Sequence, residues 1–323
     1  MKRLGTIGIV FLLGAVLAAG YPEFVAAYLQ QNPERARLEA QLEAARTRYL
    51  ALKDDPYAAP FERAEAEDAW VRARLALRKT ELGLQAEAFA LYAAVPLARL
   101  GVRVAEARLE AAKIADRAAA IRFEQGAIGP NQRAQAAERL TEAEAGLEKA
   151  RARLEDALAA LARYGDFQAE RVPALAPPEN LSAAAHPDLR LAGLELRSAR
   201  RAYQAALGPD TPRVERTRRK AELQAAERAL AEKEAALKRA LAEKEAAWRA
   251  ARREVALKRA ALENRRRALL AARIRLEKGT ASPLEVKNAG LEAASAELAL
   301  AQARKALGQA VLDLLPFAKE AAR

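Results

Sequence analysis

The residues able to do acid–base, nucleophilic or metal chemistry are few, and their spacing does not suit it. The chain has one histidine, His186, and no cysteine, which removes disulfides, thiolate metal sites and cysteine nucleophiles. A ligand set or a catalytic dyad around His186 would need partners at defined spacings, and no such set is visible. His186 directly precedes Pro187 as Asn32 precedes Pro33, so a role at a helix start explains it better than chemistry. The carboxylates fall beside Lys and Arg at i,i+4, as in Glu234/Lys238, Glu245/Arg249, Glu254/Lys258 and Glu263/Arg267. Such pairs stabilise a helix by about 0.2–0.5 kcal/mol each and build no acid–base site. The reading is a protein that is not an enzyme and takes no cofactor or metal.

The elements around these residues must then carry the function. Of 323 residues, 52% are hydrophobic, 30% charged and only 5% aromatic, a composition of long helices rather than thick globular cores. The net charge of +12 is uneven: between Arg213 and Lys278, 21 Lys/Arg face 10 Asp/Glu. A basic helix attracts nucleic acid or anionic lipid, but no interleaved aromatics stand ready to stack on bases. Nucleic acid is therefore not expected. A solvated or lumen-facing helix is, with an anionic envelope partner as the alternative. Lys2-Arg3 followed by apolar Gly5–Ala19 and Ala18-Ala19-Gly20 reads as a secretory signal over residues 1–20. The apolar stretch is shorter than the roughly 20 residues of a spanning helix, although an uncleaved anchor is the alternative. The expected location is the periplasm or cell envelope, and nothing later in the chain reads as a transmembrane helix.

The chain is written twice, about 154 residues apart. Asn32-Pro33-Glu34, Leu42, Ala45, Arg46 and Tyr49 return as His186-Pro187-Asp188, Leu196, Ala199, Arg200 and Tyr203, and Arg122-Phe123-Glu124-Gln125-Gly126 returns as Arg275-Leu276-Glu277-Lys278-Gly279. Two long copies, unlike an array of short repeats, point to one unit duplicated and packed against itself. Helical periodicity covers 27–53, 61–125 with an expected kink or break at Pro96, 130–163, 187–207, 213–278 and 283–315. Gly/Pro turns at 126–130 and 279–283 and polar breaks at 54–60 and 208–212 separate these stretches. Each long helix would lie antiparallel to two shorter ones stacked end to end. Repeat 1 spans 21–163, a Pro-rich linker 164–186 and repeat 2 187–323. Tyr49, Tyr203, Trp70 and Trp248 are expected to pack between helices.

The openings Ala27-Tyr28-Leu29-Gln30-Gln31-Asn32-Pro33-Glu34 and Ala184-Ala185-His186-Pro187-Asp188-Leu189, with the turn Gly279-Thr280-Ala281-Ser282-Pro283-Leu284-Glu285-Val286, resemble the repeats of TolC-like outer-membrane efflux proteins. The resemblance covers nearly all of the chain after the signal. It implies an all-α, coiled-coil-like protomer of duplicated long hairpins, assembled as a homotrimer into an exit duct that works with a periplasmic adaptor and an inner-membrane pump. It implies adaptor docking at the turn tips, Gly126, Ile128 and Gly129 in one copy and Gly279, Thr280 and Ser282 in the other. It also implies a constriction near Glu285, with Asn288 where a second acid can stand. Gln132 occupies the place of Glu285 in the first copy.

One departure is plain. The family inserts a membrane β-hairpin between the first short helix and the long helix of each copy, whereas this chain offers only 54–60 and 208–212 there. A membrane strand needs roughly 9–11 residues. A helical duct without its membrane barrel is expected, with outer-membrane association left open. The alternative is a structural spacer or coiled-coil interaction protein of the envelope.

Overall fold

The computed structural model describes residues 20–319, so the expected signal segment lies outside the described residues except for Gly20. These residues form α1 (Tyr21–Gln31), α2 (Pro33–Asp54), α3 (Pro60–Glu124), α4 (Pro130–Ala162), α5 (Pro187–Ala205), α6 (Arg213–Glu277) and α7 (Pro283–Leu312), with 3-10 turns at Ala183–Ala185 and Leu315–Phe317. No strand occurs among them, only an isolated antiparallel bridge between Leu181 and Ala318. The duplicated all-α plan is observed. The two long helices, α3 and α6, are each 65 residues long, about 97 Å at 1.5 Å per residue.

Local chemistry sets the boundaries. Proline occupies the first turn of α2, α3, α4, α5 and α7, where its fixed φ suits a helix and its missing N–H costs nothing. Asn32 Oδ1 accepts the Arg35 N–H at 3.1 Å, the Glu62 carboxylate accepts the Ala59 N–H at 3.3 Å, and Ser282 Oγ accepts the Glu285 N–H at 3.2 Å. Each satisfies a donor that the first helical turn leaves open. Two expectations change. The first short helix is two helices, beginning at Tyr21 and broken at Asn32, whose ψ of 119° follows from the proline after it. Conversely, α3 continues unbroken through Pro96: the proline removes one backbone bond, but Phe89, Tyr92, Ala93 and Val95 just before it are wholly buried and hold the helix. The last helix ends at Leu312, short of 315.

The helices form an open ribbon. Both α2 and α4 lie along α3, both α5 and α7 lie along α6, and α3 packs on α7 and α5. Across the ribbon the order is α2/α4, α3, α5/α7, α6. Long side chains tie the layers: Arg35 to Glu81, Arg133 to Asp116, Lys287 to Glu110, Arg103 and Arg266 to Glu297, and Arg265 to Glu292. The i,i+4 pairs on α6 close at Glu234–Lys238, Glu245–Arg249 and Glu254–Lys258. Tyr49 stacks on Trp70 with ring centroids 5.1 Å apart and planes within 9°, joining α2 to α3 as expected.

The large apolar side chains gather at the waist. Tyr21, Phe24 and Val25 of α1 meet Phe89, Tyr92 and Val95 of α3 under the linker residues Tyr164 and Phe167. The rings meet at angles, Tyr21 on Tyr92 at 5.2 Å and Phe24 on Phe167 at 5.3 Å, and the Tyr92 hydroxyl donates to the Gln168 carbonyl at 3.3 Å. On the far side of Phe89 stands Gly308 of α7, where a Cβ would lie only 2.2 Å from the ring. The middle of α3 is apolar and long enough by composition to cross a bilayer, a segment the sequence reading did not single out. Its apolar face is this waist. The chain exposes 20488 Å², against about 13,000 Å² for a compact protein of this mass.

Candidate docking tips and groove

The turn glycines are required by backbone geometry. Gly126 and Gly279 have φ of 71° and 72°, the left-handed region where a Cβ is penalised. At the first turn, Gly126 N–H donates to Phe123 O at 2.9 Å and Ala127 N–H to Arg122 O at 2.7 Å. At the second, Gly279 N–H donates to Leu276 O at 2.9 Å and Thr280 N–H to Arg275 O at 2.8 Å. These are the two bonds of a Schellman cap, formed identically in both copies. Thr280 Oγ1 adds a bond to Arg275 O at 3.1 Å, and Ser282 caps α7 where Gly129 offers α4 no side chain. Gly126, Gly129, Gly279, Thr280 and Ser282 are exposed, and Ile128 is half-buried.

The two tips are not level. Lys287 lies beside Glu110 and Glu297 beside Arg103. Extending that antiparallel register leaves the α3–α4 turn ahead of the α6–α7 turn by about two to three helical turns, roughly 12–16 Å. Behind the second tip, α3 forms the floor of a groove between α4 and α7 of about 390 Å³. Ala111, Ala112 and Ala115 of α3 and Ala136 and Ala143 of α4 keep it open, Leu284 and Leu291 of α7 make its apolar wall, and Arg108, Arg139 and Glu142 supply charge. Asn288 lines this groove. Glu285 is exposed near the start of α7. The turn glycines and Glu285 stand out in the sequence; the groove does not, although its trace is the unusually small residues on facing turns of α3 and α4.

His186 sits where the linker meets α5. Its Nδ1 accepts the Asp188 N–H at 3.2 Å, so it caps α5 as Asn32 caps α2, and its ring rests 4.9 Å from Phe317. Burial lowers its pKa, and Lys79 and Lys233 add to this against the opposing Asp188. Burial works against the charge on Asp188, but the hydrogen bond from Lys79 and the charges of Lys79, His186 and Lys233 together outweigh it and hold the carboxyl below its ordinary value. With Lys79 at 3.0 Å and Lys233 at 3.7 Å, Asp188 links α5 to both long helices.

At the opposite end, the reversals between α2 and α3 and between α5 and α6 carry a matching clamp. Arg63 donates to the Asp55 carbonyl at 2.5 Å. Arg216 donates to the Gly208 and Pro209 carbonyls at 3.1 and 3.2 Å and to the Thr211 carbonyl at 3.0 Å. Each arginine reaches back eight residues, so the duplication extends to the stapling of these loops. Nearby, Asp68 of α3, 4% exposed, is paired with Arg201 of α5.

No protein-family profile and no curated protein matches the chain, but solved structures do. CusC aligns over 93% of this chain and 92% of its own at a TM-score of 0.62 and 15% identity. The outer-membrane channel OprN aligns over 92% and 89% at 0.62 and 17%, and the outer membrane protein VceC from Vibrio cholerae over 93% and 97% at 0.60 and 16%. The architecture is thus that of the TolC-like outer-membrane channels, in an all-helical form with no barrel among the described residues. At these identities the likeness is one of fold.

Proposed function

We propose that the protein is a TolC-like component of an efflux or secretion system, exported to the cell envelope, where three copies close into a helical conduit. The observation that carries this reading is the open ribbon with two unpartnered edges. One edge is α6, with Leu257, Leu270 and Ile274 at 65%, 58% and 42% exposure; the other is α2/α4, with Leu50 and Leu158 at 42% and 38%. Edges of different composition make a heterologous contact, which closes into a ring when the rotation permits. The surface well above that of a compact chain supports the same conclusion.

In the conduit the turn tips and the groove behind them receive a periplasmic adaptor, which couples the duct to an inner-membrane pump. The alanine floor admits the apolar side chains of a docked helix, and Arg108, Arg139 and Asn288 meet its polar flank. Glu285 and Asn288, one helical turn apart at the mouth, stand near the constriction. Passage is passive and non-catalytic. The short reversals at 55–59 and 206–212 favour a second reading, an envelope spacer that needs only one apolar seam.

The mass of the purified protein by light scattering, in mild detergent and without it, separates the two. Three times the 35.0 kDa chain mass supports the conduit. A rod-like monomer under both conditions removes the ring and leaves the spacer.

A further inference from the structure

We propose that the end of the rod formed by the α2–α3 and α5–α6 reversals is a docking surface for an anionic lipid bilayer, held at the headgroup level without spanning it. The register sets both reversals side by side. Asp188 lies beside Lys79 and Arg201 beside Asp68, and the same antiparallel spacing continued along α5 and α3 brings Leu207 level with Phe61. Four large apolar side chains are thereby exposed at one end: Tyr57 at 94%, Val214 at 81%, Phe61 at 56% and Leu207 at 54%. Scattered single apolar residues on a surface need no explanation, whereas a cluster marks a protein or membrane contact.

Three observations select the membrane. Tyr57 and Val214 lie in the α2–α3 turn and in the first turn of α6, at the end of the rod rather than along its flanks, where a flat surface meets them and a packed helix does not. Their scaffold is fixed: Arg63 and Arg216 staple both loops, and the Asp55 carboxylate accepts the Tyr57 N–H at 2.8 Å. The charge is complementary. Between Leu207 and Lys220 five Lys/Arg face two Asp/Glu, while the aromatic-bearing stretch from Lys53 to Arg63 is close to neutral with two against three. Exposed aromatics beside basic residues are the composition of an interfacial anchor, and each Lys or Arg near an anionic surface adds attraction that salt weakens. The proposal does not rest on ring closure.

The absence of cysteine allows single dye labels on the full chain. Tyr57→Cys, Val214→Cys and, at the opposite end, Thr280→Cys are labelled with an environment-sensitive dye and mixed with phosphatidylcholine vesicles carrying acyl-brominated lipid, with or without phosphatidylglycerol. The expected result is quenching at 57 and 214 at least about twofold stronger than at 280, only with phosphatidylglycerol, and a fall in partitioning of about tenfold in the Arg213→Glu/Lys220→Glu chain. Comparing 57 with 280 separates this end from any anchoring by residues 5–19. Equal quenching at 57 and 280, equal response to neutral vesicles, or no effect of the charge reversal overturns the proposal. So does shielding of the label at 57 before lipid is added, which would assign this end to another protein chain.

Discussion

Gly308 gives the sharpest test of the waist. A Cβ there would lie 2.2 Å from Phe89 Cζ and 2.8 and 2.9 Å from its two Cε atoms. Carbon atoms rest at about 3.5–4.0 Å, so in Gly308→Ala the ring must retreat by at least about 1.3 Å. It has nowhere free to go: Phe89 is 0% exposed and packs edge-on against Tyr21 at 6.1 Å. Overpacking of this kind costs about 1–3 kcal/mol, while alanine in a helix interior recovers about 0.5–1 kcal/mol over glycine. The net expectation is a loss of about 1–2 kcal/mol, seen by circular dichroism as a fall in the unfolding midpoint of about 1.5–3 °C.

The control is the same substitution eighteen residues earlier in α7. At Gly290 an added Cβ meets only Leu269 Cδ1 at 3.9 Å, an ordinary contact, so Gly290→Ala gains about 0.5–1 kcal/mol. In the Gly308→Ala background, Phe89→Leu costs less than it does in the parent, because the two sites share one space. A Gly308→Ala protein as stable as its parent, or a Gly290→Ala protein equally weakened, would refute the packing argument.

Two further substitutions test electrostatics. Arg201→Ala leaves the Asp68 carboxylate, its side chain 6% exposed, without its partner and costs about 2 kcal/mol in urea unfolding. Asp68→Ala/Arg201→Ala is the more stable of the two, and the idea fails if it is not. His186 has a pKa below the ordinary 6.5, so the unfolded chain binds its proton first. Its contribution is complete above about pH 6.5 and is lost as the pH falls from there toward the lowered value. His186→Asn keeps the helix cap, as Asn32 shows, and should flatten the stability profile below pH 6.5 while leaving it unchanged at pH 8. A parallel fall in both proteins would place the titration elsewhere.

Much of the fold is legible in the sequence, because it is written in residues whose backbone demands are specific. Asn32-Pro33 and His186-Pro187 announce helix starts, and Gly126 and Gly279 are left-handed caps that only glycine fills cheaply. Asn32-Pro33 marks the start of α2, but α1 is not legible as a separate helix before it, because the helical period continues across the break. The continuity of α3 through Pro96 was missed because the support comes from α1 and the linker, far away in sequence. Which helices are neighbours was not legible either: the Ala-rich faces of α3 and α6 offer the same periodicity on several sides, and only the packed structure shows α3 taking α7. Gly308 looked like any helix-interior glycine until Phe89 faced it. The clamps of Arg63 and Arg216, 153 residues apart, follow the repeat spacing.

The uneven placement of bulk along the rod has a mechanical consequence. Rings and branched side chains lock the waist, whereas toward the tips α3 meets its neighbours largely through alanines and exposed ion pairs. Each worth little in water, such contacts re-form readily when helices slide. From Tyr92 to Glu124 the helix is a lever of about 48 Å, and Pro96, one backbone bond short, stands beside its fulcrum. A tilt of about 5° there displaces the tip by about 4 Å, comparable to the shifts that helices make in known switching transitions. A modest push at the tip is thus met by a compliant arm turning on a rigid bearing, and the motion stops at the aromatic waist.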